Sequence, residues 1–135
     1  MKPVDQTDLT STHGNCLSAC VASILELSLA DVPWFSLAGE QWWDVLAAWV
    51  RTRGLGVTYY VPLGEMHAPR GYSIVGGASP RFPGATHACV AYDGNVVHDP
   101  HPSRVGLTNI KDFIVIHGPS PANDPMWFNG IAPRV

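Results

Sequence analysis

The chain has 135 residues, 46% of them hydrophobic and only 14% charged, with a formal net charge of -3, against a charged share of about 25% in a typical domain. No basic run accompanies that balance, which argues against nucleic acid or an anionic membrane as the main partner. Three cysteines and no apolar run of leader or membrane-spanning length lead to the expectation of a cytoplasmic protein of one domain, residues 1–135, without a disulfide framework and with some surface hidden in a homo-oligomer or against a partner.

Residues 1–13 read as an extended lead-in whose notable polar side chain is Gln6. The stretch Gly14-Asn15-Cys16 to Leu27 reads as a buried helix, because Leu17, Cys20, Val21, Ile24 and Leu27 recur at helical spacing. Ser11 to Asn15 supply polar turn residues ahead of it. Cys16 thus enters at the first turn, where the partial positive charge of a helix start favours thiolate over thiol and predicts a depressed pKa. The plainer reading of an unpaired cysteine is a small buried hydrophobe.

In the next segment Pro33 ends regular structure and Trp34-Phe35 can cover the core. A second helix is predicted over about 40–53, with Trp42, Trp43, Val45, Leu46, Trp49 and Val50 on one face and Gly54 as its stop. Val57–Val61 reads as a strand by propensity, Tyr72–Val75 as a shorter one, and Gly76–Gly84 as a loop. Arg81 lies in that loop, either as a clamp for a substrate carboxylate or as an ordinary solvated arginine. Ile110–His117 is a further strand. The Pro-rich tail 118–135 carries Met126-Trp127-Phe128 and is expected to pack on the surface or on a neighbouring subunit. The Trp-rich helix and this tail are the candidate self-association surfaces.

Two strand-like runs flank Asp93-Gly94 between Thr86 and Pro102, a strong hairpin signal. The loop length decides which residues share a face. A three-residue loop, Tyr92-Asp93-Gly94 with Gly94 at positive φ, sets His87 opposite Asp99 and builds a base with its orienting carboxylate. A two-residue loop puts His87 on the same face as His98, which resembles a metal cluster. The first register is the expected one, with His98 on the opposite side of the sheet.

A cysteine opening a buried helix, then a strand-initial His, then an Asp-Pro ending the next strand resembles the papain-like cysteine peptidases, and among them the bacteriocin-leader-processing peptidases and their relatives. The resemblance covers roughly residues 6–101. It implies an α+β fold in which the Cys-bearing helix packs on an antiparallel sheet carrying His and Asp. It also implies a cofactor-free thiol hydrolase acting on a peptide, isopeptide or other amide, with Cys16 as nucleophile, His87 as base and Asp99 as orienting acid. The family's oxyanion-hole Gln usually lies about five or six residues before the cysteine, where this chain has Thr10 and Ser11. Gln6 can serve only if the lead-in loops back, and the Asn15 side chain is the alternative donor.

Two other readings compete. Cys16, Cys20, His87 and Cys89 supply ligand types for zinc, and a papain-like binding module can keep the triad residues without activity. In the hydrolase reading Cys20 and Cys89 are expected to meet, reduced and buried, beneath the site.

Overall fold

The computed structural model describes residues 1–62 and 68–118. The readings made for His67 and for the tail beyond Gly118 lie outside them. The architecture is α+β, with two helices and a five-stranded antiparallel sheet among the described residues. Helix α1 runs Cys16–Leu25 and α2 runs Trp42–Thr52, with two short 3-10 segments, Leu29–Asp31 and Phe35–Gln41, between them. The strands are β1 Gly56–Tyr60, β2 Tyr72–Ala78, β3 Thr86–Tyr92, β4 Asn95–His98 and β5 Asn109–His117, ordered β1-β5-β2-β3-β4. No single helix among the described residues is long and apolar enough to cross a membrane.

Side chains alternate across a strand, so the sheet has two different faces. Ile74, Ala88, Val90 and Ile114 point toward the helices and join Cys20, Val21, Phe35, Leu46 and Val50 in the larger core. Val75, Cys89, Ala91 and Phe113 form a smaller cluster on the other face, with Ala68 and Leu107 against it. Helix α1 is buried on more than a stripe: Ser18 and Ser23 are inside with the apolar residues. Both serines are satisfied, Ser18 Oγ donating to the Pro33 carbonyl at 2.6 Å and Ser23 Oγ to the Ala19 carbonyl at 2.7 Å, as buried hydroxyls must be.

The α2 tryptophans are half-buried rather than displayed. Trp49 meets Phe35 edge-on at 6.0 Å and Trp43 meets Tyr59 at 5.7 Å. Strand β2 runs on through Gly76 and Gly77, which read as loop from sequence. A Cβ at Gly76 would collide with the Asp112 carboxylate and one at Gly77 with the Asn109 carbonyl, so these glycines let β5 approach. Gly76 pairs with Asp112 and Gly77 with Ile110, leaving Lys111 as a bulge.

The β3–β4 hairpin corrects the expected register. Tyr92 pairs with Asn95, so the turn has two residues, and Asp93 (φ 49°) and Gly94 (φ 83°) both take the positive φ of a type I′ turn. Ala91 then pairs with Val96 but Val90 with His98. The extra residue, Val97, is a bulge that shifts the pairing by one position. Two departures from the three-residue loop thereby restore its parity but not its pairing: Asp99 returns to the face of His87, with Cys89 rather than His87 directly across from it, and His98 opposite Val90 takes the other face.

Candidate active site

The first eight residues wrap across one end of the fold. The Lys2 amide donates to the Ser23 carbonyl at 3.0 Å, the Gln6 amide to the Pro100 carbonyl at 3.0 Å, and His98 Nε2 to the Val4 carbonyl at 2.9 Å. The chain then turns back on itself. Asn15 Oδ1 accepts from the amides of Thr7 and Asp8, both at 2.9 Å, and Asn15 Nδ2 donates to Thr7 Oγ1 at 2.9 Å. Asn15 is therefore a strut for the lead-in, and of the two expected oxyanion donors Gln6 lines the cavity beside Cys16 while Asn15 does not. Its side chain makes no cap bond to α1.

That strut brings Gln6 back beside Gly14, two residues before the cysteine. Gln6 is 93% buried on its 7% exposure, its Nε2 donates to the Asp8 carbonyl at 2.8 Å, and a Cβ on Gly14 would lie 3.7 Å from that nitrogen. The turn before Cys16 is also held from outside, since Trp34 Nε1 donates to the His13 carbonyl at 2.8 Å.

His87 and Asp99 form a buried pair, 5% and 4% exposed, with Nε2 to Oδ1 at 2.6 Å. The carboxylate is held by three further donors. The His101 amide reaches Oδ1 at 2.9 Å, the Gly106 amide reaches Oδ2 at 2.8 Å, and Cys89 bonds it from the neighbouring strand position. Arg104, at φ 55°, joins the Asp99 carbonyl to the Asp5 carboxylate and ties this loop to the lead-in. Sequence reading missed these supports. The Asp99–His101 bond is an Asx turn, which Asp-Pro-His-Pro signals by composition; the Gly106 and Arg104 contacts carry no such local mark.

The electrostatics are coherent. Burial works against ionised Asp99, but the His87 ring and the two amides outweigh it and hold the carboxyl below its ordinary value. Burial pushes His87 down, against the pull of Asp99. An ionised carboxylate on Nε2 fixes the tautomer with hydrogen on Nε2 and leaves Nδ1 as the basic nitrogen. Cys16 differs from expectation. Burial raises its thiol, against the backbone amides of Ala88, Leu17 and Cys16 itself and the charge of Arg81. The helix start does aim amides at the sulfur, yet the enclosure outweighs them. Full burial pushes Cys20 well up, and Cys89 is pushed up by burial together with the Asp99 carboxylate beside it.

A cavity of about 380 Å³ opens between the lead-in, the start of α1 and the sheet; Gln6, Cys16, Arg81 and His87 line it and Asp99 does not. Cys16 and His87 thus share one cavity, and Asp99 lies behind His87. All three cysteines are free thiols. Cys20 and Cys89, expected to meet, belong to different clusters on opposite faces of the sheet, because Ala88 and not Cys89 faces α1. The competing zinc set, Cys16, Cys20, His87 and Cys89, is not found as a compact group. Among the described residues the compact ligand group is His87, Cys89 and Asp99, with ligand atoms within 4.8 Å of one another. Neither a family model nor a curated protein nor a solved structure matches the chain.

Proposed function

We propose that the protein is a thiol hydrolase of papain-like type that cleaves an amide bond through an acyl-thioester on Cys16. The observation that carries this reading is the buried His87–Asp99 bond at 2.6 Å behind a cavity whose wall includes the Cys16 thiol. His87 Nδ1 takes the thiol proton as sulfur attacks the carbonyl carbon. The ring then gives that proton to the leaving amine as the carbon–nitrogen bond breaks. Water, activated by the same nitrogen, hydrolyses the thioester and restores the thiol. Asp99 keeps the ring oriented and stabilises the imidazolium. The Cys16 amide and the second hydrogen of Gln6 Nε2 are the donors for the oxyanion, a role whose loss costs on the order of 10² to 10³ in rate.

Because the thiol is raised and the imidazole lowered, the resting pair is neutral, and proton transfer accompanies attack. Turnover of para-nitrophenyl acetate tests the reading without a known substrate. The wild type releases nitrophenolate continuously, Cys16→Ser abolishes this, and His87→Ala lowers it at least about a hundredfold. Equal turnover in the three proteins overturns the proposal.

One observation favours a second reading, a metal centre, namely the compact His87, Cys89 and Asp99 group. Against it, Asp99 already accepts from three side-chain and backbone N–H groups, and burial keeps the Cys89 thiol protonated. Stoichiometric zinc retained on dialysis and lost in Cys89→Ala would favour the metal.

A further inference from the structure

The cavity has the opposite charge sign to the chain as a whole. Two cations, Arg81 and Lys111, line it with a single anion, Asp112, although the protein carries a net charge of -3. That anion is engaged, accepting from the Tyr59 hydroxyl at 3.1 Å. Arg81 forms no ion pair among the described residues. Its Nε is buried without a hydrogen-bond partner, and its guanidinium lies 5.9 Å from the centre of the Phe82 ring. A guanidinium held at a cavity wall without a carboxylate is costly unless an anion arrives with a ligand. Its fork suits a carboxylate, which it binds with two parallel bonds. Its field reaches Cys16, His87 and His101, so the anion it meets lies close to the reacting sulfur.

We infer that Arg81 selects substrates bearing a free carboxylate next to the scissile amide, with Lys111 adding to the attraction at the cavity mouth. This rests on the hydrolase reading and narrows its substrate class from any amide to an acidic one. The carboxylate is on either the acyl or the amine side of the bond. The chemistry Arg81 recognises is the same.

Alkylation of Cys16 separates this inference from the reading beneath it. The rate with anionic iodoacetate is divided by that with neutral iodoacetamide, at alkaline pH and low salt, and the ratio is compared with that of a free thiol such as glutathione. The ratio cancels changes in thiolate fraction. It is expected to exceed the free-thiol value by about tenfold in the wild type, to fall most of the way to it in Arg81→Gln, where Lys111 remains, and to stay partly raised in Arg81→Lys. A wild-type ratio equal to that of Arg81→Gln overturns the inference, whether or not para-nitrophenyl acetate is turned over. Esters then place the carboxylate. Preference for para-nitrophenyl hydrogen succinate over the butyrate puts it on the acyl side, and preference for para-acetoxybenzoate over phenyl acetate on the leaving side. Either preference, lost in Arg81→Gln, supports the inference. No preference in either pair overturns it.

Discussion

At the scale of single residues, the site turns on which side of neutrality each group sits. A helix start favours a thiolate, and by that rule alone Cys16 would be acidic. Three amides do point at its sulfur, one of them Ala88 of β3, but burial works the other way and prevails. The rate of iodoacetamide alkylation at Cys16 should therefore climb through neutral pH and keep rising past the ordinary thiol range near about 8.5. A plateau below pH 7 would instead reveal a preformed thiolate–imidazolium pair. Cys16 should still react before Cys20 and Cys89, which are buried. In the proposed mechanism Asp99 acts through His87, so Asp99→Asn, which keeps an acceptor but removes the charge, should lower ester turnover on the order of 10² to 10⁴. Its thermal midpoint should stay within a few degrees, separating a positioning role from a structural one.

At the scale of elements, the residue types of the site were legible and its supports were not. Cys16 at a helix start, His87 at a strand start and Asp99 before a proline are local signals, and the structure has Cys16 and His87 lining one cavity with Asp99 bonded to His87. The hairpin register was not legible, because the outcome depends on Val97 bulging out, and nothing in the Asn95–His98 run announces a bulge. The parity came out as expected by a different route. Likewise the glycines of β2 look like loop residues until Asp112 and Asn109 are seen crowding them. Gly94 at φ 83° closes the turn, and a Cβ there would strike Ala68. Gly94→Ala should therefore cost at least about 1 kcal/mol in denaturant unfolding. A neutral result would mean that the turn has another conformation. Leu46, fully buried between α2 and the sheet, should cost about 2–5 kcal/mol when cut to Ala.

At the scale of the whole molecule, the lead-in is what completes the site, since it crosses from the α1 core to the Asp99 loop and delivers Gln6 on the way. That assembly is sensitive to acid. His87 sits below its ordinary value in the fold, so the unfolded chain binds a proton there first, and stability is lost as pH falls below about 6.5. Asp99, also held low, adds a loss further down, as pH falls from about 3.9 toward its folded value. The thermal midpoint should fall on acidification below about pH 6.5, and His87→Gln should flatten the upper part of that fall. Sedimentation tests the self-association expected from low charge; of the α2 tryptophans that suggested it, Trp49 is engaged with Phe35 and Trp43 with Tyr59 within the chain.

The central claim is that Cys16 carries the acyl group and His87 removes it. The most direct measurement is intact-mass and peptide mapping after brief exposure to para-nitrophenyl acetate, in wild type and in His87→Ala. The account predicts one acetyl group, on Cys16, that is transient in the wild type and persists in His87→Ala, where no base activates water. An acetyl group found on another residue, or lost from Cys16 equally fast in both proteins, would contradict it.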